Sequence, residues 1–70
     1  MSVFSARLRE LRALKNVTQK QVAEGSGLSE TGYQKYELEE REPTLSSINK
    51  LADYFEVSAD YLLGRTDKHQ

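Results

Sequence analysis

The chain has 70 residues, of which 30% are charged, and its formal net charge is −1. A chain this short is expected to form one small domain that buries roughly 60% of its unfolded surface, without a second domain. The absence of cysteine excludes a disulfide framework and a thiolate metal site, and His69 alone is not a ligand set, so we expect no metal and no cofactor. No apolar run approaches a membrane span, and the first residues lack the basic and apolar regions of a signal peptide. The expectation is a soluble cytoplasmic protein.

The first predicted helix begins at Ser2 or Val3 and carries one apolar stripe. Its members recur at spacings of three and four, which is typical of a helix packed on a core: Phe4, Leu8, Leu11 and Leu14. The charge of this region is also distinctive. Residues 1–20 hold five Lys and Arg against one acidic residue, whereas residues 21–64 have a net charge of −6. A basic flank could therefore meet phosphate while the acidic remainder faces water.

Residues 18–37 predict two short helices joined by a glycine turn. Thr18 is a good N-cap, and Gln21 three residues later completes a capping box, so a helix should begin near Gln19. The stretch from Gly25 to Gly27 ends it, and Gly27 suits a positive φ. Ser29 offers the next N-cap, and the following helix has apolar anchors at Leu28, Tyr33 and Tyr36. This arrangement is a helix-turn-helix candidate.

Two further helices are predicted after Pro43. Thr44 caps the first, which has one apolar face made of Leu45, Ile48, Leu51, Ala52 and Phe55. Ser58 caps a last short helix that stops at Gly64. Tyr61 and Leu63 cannot both point inward, so one of them, with Tyr54, is predicted to form an exposed apolar patch for self-association. Residues 1–64 would form the domain, and residues 65–70 a flexible tail.

Taken together, these motifs resemble the phage-repressor and Cro-like (XRE-type) helix-turn-helix regulators of bacteria. The resemblance covers about residues 4–64 and rests on several short motifs in the expected order: Arg7-Leu8-Arg9, Gln19, Ala23, Gly27-Leu28-Ser29, Tyr36-Glu37, Arg41-Glu42-Pro43, Leu51-Ala52, Val57-Ser58 and Tyr61-Leu62-Leu63-Gly64. It implies an all-α, lambda-repressor-like bundle of five helices. It further implies sequence-specific binding of double-stranded DNA, as a homodimer on a palindromic operator, to regulate transcription, most often as a repressor.

The resemblance also assigns roles to individual residues. Arg12 is expected to reach the Glu37 carboxylate in a buried or half-buried ion pair, with phosphate contact as its alternative role. Gln19 is expected to bind phosphate at a helix N-terminus, or else to be a solvated amide. Lys20 could make a second phosphate contact or remain a solvated lysine.

The third helix is the expected recognition helix. Glu30, Thr31 and Lys35 occupy base-reading places, with Gln34 beside them, although a merely solvated polar face is the alternative. Lys35 could donate to guanine, Glu30 could accept from cytosine, and Thr31 could bond a base edge or pack on a thymine methyl. The expected DNA-binding set is Gln19, Lys20, Ser29, Glu30, Thr31, Gln34, Lys35 and Arg41. Gly32 would be explained if a side chain there collided with backbone or DNA.

The sequence departs from the family after Tyr36-Glu37. Where the usual pattern has a glycine and then a basic residue, this chain has Leu38-Glu39-Glu40. Glu39 must adopt a left-handed conformation, or the helix must end differently. Glu40 would repel phosphate, and Arg41 alone keeps a cation in the segment. The alternative function is therefore a protein-interaction module on the same fold. An enzyme is not expected, because no catalytic constellation or small-molecule substrate site is evident.

Overall fold

Five α-helices make up the computed structural model, which describes residues 2–69. They are α1 (Val3–Lys15), α2 (Gln19–Ser26), α3 (Glu30–Glu37), α4 (Leu45–Phe55) and α5 (Ala59–Leu62). Within residues 2–69 there is no strand, so the all-α prediction of five helices is confirmed. None of these helices has the length and apolar character needed to cross a bilayer.

Every helix begins at a serine or threonine that caps it. In each case the side-chain hydroxyl accepts a hydrogen bond from the backbone N–H three residues later, at Ser2, Thr18, Ser29, Thr44 and Ser58. In α2 the capping box is complete, because the Gln21 side chain accepts the Thr18 backbone N–H at 2.8 Å. These hydrogen bonds confirm the predicted N-caps. The caps could be predicted because each depends on residues within one turn of the helix start.

Every helix is also followed, within two residues, by a residue with positive φ. These are Asn16 (56°), Gly27 (79°), Glu39 (61°), Glu56 (57°) and Gly64 (80°). At the end of α3 the N–H of Glu39 donates to Tyr36 O at 3.3 Å, and the N–H of Glu40 donates to Lys35 O at 2.9 Å. This pair of bonds is a Schellman motif. Of the two outcomes predicted for Glu39, the structure has the left-handed one.

All five helices contribute to one apolar core, in which Leu8, Val22, Tyr33, Leu51 and Leu62 have no exposed surface. Two residues predicted for the core are outside it, since Leu14 and Leu45 are each 75% exposed. At 100° per residue, Leu14 projects about 90° from the centre of the stripe formed by Phe4, Leu8 and Leu11. Leu45 projects about 70° from the centre of the stripe formed by Ile48, Leu51, Ala52 and Phe55, and it lies in the first turn of α4. The spacing of these two leucines fits an apolar stripe, but their side chains point away from the centre of the buried face.

Tyr61 is buried, which corrects its assignment to an exposed self-association patch. Its side chain is only 6% exposed, because the Arg7 guanidinium lies 4.0 Å from the ring centroid and the His69 ring lies 4.5 Å away. The segment after Gly64 folds over this site. His69 O accepts the Ser58 backbone N–H at 2.6 Å, and Asp67 pairs with Arg7 at 2.9 Å. Flexibility of residues 65–70 stays a prediction, and Gln70 lies outside the described residues.

Candidate nucleic-acid interface

Helix α3 has a buried face and an exposed polar face. Tyr33 and Tyr36 point into the core, where they are 0% and 4% exposed. Glu30, Thr31 and Lys35 are exposed on the other side. Gln34, half-buried, lies beside them, and its amide is 3.5 Å from the Glu30 carboxylate. The residues predicted to read bases therefore share one accessible surface.

Gly32 lies beside both the cap of α3 and the loop that follows the helix. A Cβ at Gly32 would be 2.9 Å from the Ser29 hydroxyl and 3.8 Å from Arg41 Nη1. The expected collision is thus with the capping side chain, which accepts the Gly32 N–H at 3.0 Å. The same distances bring the Arg41 guanidinium to the first turn of α3, beside Gly32. Arg41 and Ser29 both belong to the predicted DNA-binding set.

The C-terminal end of α3 is fixed by a buried carboxylate. Glu37 is only 3% exposed, and Arg12 donates to it from Nε at 2.8 Å and from Nη2 at 3.2 Å. Gln19 Nε2 donates to the same carboxylate at 3.1 Å. The structure thus brings the expected pair together, with Arg12 half-buried, and adds Gln19 as a third member. A single carboxylate joins α1, α2 and α3.

Protonation of this cluster is set by its surroundings. Desolvation acts to raise the pKa of Glu37, but the hydrogen bonds from Arg12 and Gln19, with the Tyr33 hydroxyl nearby, outweigh it, so the pKa lies below its usual value. Burial raises the pKa of the Tyr33 hydroxyl well above its ordinary range, and the adjacent Glu37 raises it further. The hydrogen bond to Glu37 likewise raises the pKa of Arg12. At neutral pH the cluster therefore consists of a carboxylate, a guanidinium and a neutral phenol.

Gln19 and Lys20 stand at the N-terminus of α2, where free backbone N–H groups are available to an anion. Lys20 is exposed. A side-chain amide has two N–H donors, and in Gln19 one of them is used by Glu37. The contact with Glu37 therefore orients the amide and leaves a second donor for a phosphate oxygen. The sequence did not indicate this link, because residues 19 and 37 are far apart in the chain.

The predicted basic flank is mostly directed into the protein, which corrects that expectation. Arg7 bonds the tail and stacks on Tyr61, Arg12 binds Glu37, and Arg9 donates to the Glu37 backbone carbonyl at 2.5 Å. This last contact places a cation at the C-terminal end of α3, where the helix dipole favours it. Charge counting could not reveal these roles, because they depend on which helices pack together.

The segment after α3 presents acidic side chains to solvent. Glu39, Glu40 and Glu42 are exposed, as is Arg41 between them. The Glu39 carboxylate accepts the Ser2 backbone N–H at 2.5 Å, which ties this loop to the start of α1. The structure therefore keeps negative charge exposed in the loop that follows α3, as the sequence predicted.

The residues predicted for self-association do not form one patch. Half-buried Tyr54 lies at the C-terminal end of α1, since Lys15 Nζ is 5.4 Å from its ring centroid. Leu63 is 43% exposed and precedes Gly64, which contacts Val3 at the other end of α1. The rise of 12 residues separates these ends by about 18 Å. Tyr54 and Leu63 therefore belong to different surfaces.

Comparison with known proteins identifies the fold of this chain. The helix-turn-helix family model matches residues 8–62. HTH-type transcriptional regulator YobD of Bacillus subtilis is 40% identical over 65 residues, covering 93% of this chain and 58% of the relative. Cryptic phage CTXphi transcriptional repressor RstR of Vibrio cholerae is 46% identical over 66 residues, covering 91% of this chain and 59% of the relative. The SPbeta prophage-derived HTH-type regulator YonR of Bacillus subtilis is 38% identical, with 91% and 59% covered.

The chain thus spans a little under 60% of the length of these relatives. No solved structure gives a significant match. The relatives are named as transcriptional regulators, and neither those names nor the family is that of an enzyme, in agreement with the sequence prediction. Five helices without a strand in residues 2–69 fit the predicted lambda-repressor-like arrangement. Because the family model covers most of the chain, this chain belongs to the helix-turn-helix family of transcriptional regulators, as its resemblance to phage repressors predicted.

Proposed function

We propose that the chain binds a specific duplex DNA sequence as a homodimer and represses transcription in the cytoplasm. The observation that carries this proposal is the exposed polar face of α3, with Glu30, Thr31 and Lys35 on a helix whose other face is buried. A helix presented in this way can enter the major groove and contact base edges. The similarity to a named phage repressor supports repression.

Backbone contacts would orient α3 in the groove. Gln19 and Lys20 lie at the N-terminus of α2, where the amide, the ammonium and the free backbone N–H groups suit phosphate oxygens. Arg41 lies beside Gly32 in the first turn of α3. Glu37, at the end of α3, accepts a hydrogen bond from Gln19. This contact fixes the position of Gln19, which would contact the DNA backbone, relative to α3, which would contact the bases.

The homodimer is proposed from the geometry of this mode of binding. Two copies related by a two-fold axis place two recognition helices on half-sites one helical turn apart, so the operator would be palindromic. The partly exposed ring of Tyr54 is the proposed self-contact, and the exposed Leu63 lies on another surface.

Selection of bound duplexes from a random pool at low salt tests this proposal. We expect enrichment of one sequence with two inverted half-sites whose centres are about 10 base pairs apart. Binding without enrichment of any sequence would contradict base reading. Enrichment of a single, unrepeated half-site would contradict the homodimer.

The exposed acidic segment Glu39–Glu42 favours one other function, a protein-interaction module on the same fold. That function predicts no measurable duplex binding even at low salt, together with a protein partner that is lost when Glu40 and Glu42 are neutralised. The duplex selection therefore distinguishes the two functions.

A further inference from the structure

An open groove of about 520 Å³ lies between the N-terminal turn of α1, the loop after α3 and the first turns of α4. Its apolar lining comes from Phe4, Pro43, Ile48 and Leu63. Leu63 is 43% exposed, so its side chain remains available to another molecule. The size lies within the range of sites that bury small ligands or anchoring side chains. The groove is apart from the exposed face of α3 formed by Glu30, Thr31 and Lys35, since it includes none of these residues.

The rim of the groove is acidic. Glu39, Glu40 and Glu42 line it and are exposed to solvent. Arg41 also lines it, but its guanidinium approaches Gly32 in α3 and so lies toward the recognition helix. An apolar lining below several carboxylates is complementary to a molecule with apolar side chains between cations.

A second copy of this chain fits the groove poorly. In a two-fold dimer the same patch meets itself, so three carboxylates of each copy would face the same three in the other. Like charges brought together in an interface cost free energy and suppress that pairing. The proposed self-contact at Tyr54 lies at the C-terminal end of α4, whereas Ile48 and Pro43 place the groove at its N-terminal end.

We propose that this groove binds a basic peptide segment of a partner protein, with one or two large apolar side chains seated against Leu63 and Phe4. Lysines or arginines flanking those side chains pair with Glu40 and Glu42. This binding does not require DNA, so it stands or fails independently of the proposed operator binding.

The probe is a labelled synthetic peptide, Lys-Arg-Leu-Phe-Lys-Arg, in which two apolar residues lie between two pairs of basic residues. Its binding is measured by fluorescence polarisation in the absence of DNA. The full chain should bind it, and Leu63→Ser should weaken binding about fivefold. The control Leu14→Ser changes a leucine outside the groove that is more exposed than Leu63, 75% against 43%, and should have no effect. Glu40→Gln combined with Glu42→Gln should also weaken binding about fivefold, because each exposed pair contributes modestly. The control pair Glu10→Gln with Glu24→Gln makes the same change of charge elsewhere.

Three results would overturn the proposal. Equal weakening by both double variants would mean that the acidic chain attracts the peptide without a site. Unchanged binding in Leu63→Ser, with circular dichroism showing a folded chain, would remove the groove from the interaction. Dissociation of a homodimer by Leu63→Ser, but not by Leu14→Ser, in analytical ultracentrifugation would show that a second copy covers the groove.

Discussion

Glu37 links α3 to the two helices that precede it. It is 3% exposed and receives hydrogen bonds from Arg12 in α1 and Gln19 in α2. Its removal leaves a half-buried guanidinium without its partner, which is more costly than the pair itself is stabilising. The position of α3, the proposed recognition helix, is therefore coupled to one carboxylate.

We expect Glu37→Ala to lower the free energy of unfolding by about 3 kcal/mol, the lower end for a broken buried pair, because Arg12 keeps some contact with water. Glu40→Ala, which changes an exposed glutamate three residues away, should change it by less than about 0.5 kcal/mol. Urea unfolding at pH 7 measures both. Equal stability of the two variants would contradict a structural role for the pair.

The same carboxylate makes stability depend on pH. Because the pKa of Glu37 is lower in the folded chain than in the unfolded chain, its contribution is present above the unfolded pKa and is lost as pH falls through the folded pKa. The wild-type chain should lose more unfolding free energy than Glu37→Gln as pH is lowered from about 5 to about 3. Parallel losses in urea titrations of the two proteins would argue against a lowered pKa.

Base reading and backbone contact should separate at Lys35 and Gln19. Lys35→Ala should weaken the selected duplex by about 1–3 kcal/mol and relax base preference, since lysine can donate to guanine. Gln19→Ala should weaken all duplexes alike, because phosphate contacts carry no sequence information. Binding of each variant to the selected site and its scrambled counterpart tests this, with a folded state verified first because Gln19 also contacts Glu37. Equal losses for both variants on every duplex would refute the division.

Helix boundaries could be predicted because their causes are local. Thr18 and Ser29 cap helices through hydroxyl contacts three residues away, and Gly27 takes a positive φ that the turn requires. Leu14 and Leu45 were wrongly predicted to be buried. Each lies three residues from a core residue, as in an apolar stripe, but the neighbouring helices do not cover it. Sequence therefore predicts where an element begins and ends better than which side of it is buried.

The end of α3 offers a direct test of backbone strain. Glu39 has a φ of 61°, a conformation that costs a non-glycine residue about 1–2 kcal/mol. Glu39→Gly relieves this strain but gives the unfolded chain more freedom, worth about 0.5–1 kcal/mol. We expect a net stabilisation of about 0.5 kcal/mol. Glu40→Gly, at a residue without positive φ, should instead destabilise the chain, and thermal unfolding of both variants distinguishes these signs. Destabilisation by both would show that the strain at Glu39 is smaller than the combined cost of the added freedom and of the lost contact with the Ser2 N–H.

For the molecule as a whole, the charge pattern of the sequence predicted the structure less well than the apolar pattern did. Arg7, Arg9 and Arg12 make the first 20 residues basic, yet each of these side chains binds an oxygen atom elsewhere in the protein. The acidic segment is the part of the charge pattern that stays exposed, through Glu39, Glu40 and Glu42. We therefore expect long-range attraction of DNA to be weaker than the number of basic residues in positions 1–20 suggests, and the acidic loop opposes it.

The acidic loop should therefore limit affinity for DNA, and Glu39→Gly combined with Glu40→Lys should strengthen it. Glu40→Lys changes the local charge by two units, and a lysine that reaches phosphate releases about one more counterion, so the logarithm of affinity should fall more steeply with the logarithm of salt, by about one unit. Glu39→Gly keeps the left-handed turn without its strain.

The measurement is binding to the selected site and to a scrambled duplex at several salt concentrations. An equal gain on both duplexes would support the protein-interaction function, because the added charge would then raise only sequence-independent affinity. Glu10→Lys serves as a control, since it makes the same charge change in α1, away from the loop. A gain no larger than that of Glu10→Lys would mean that net charge alone is responsible. Unchanged affinity for both duplexes would show that the loop never approaches DNA, and the placement of α3 in the major groove would be wrong with it.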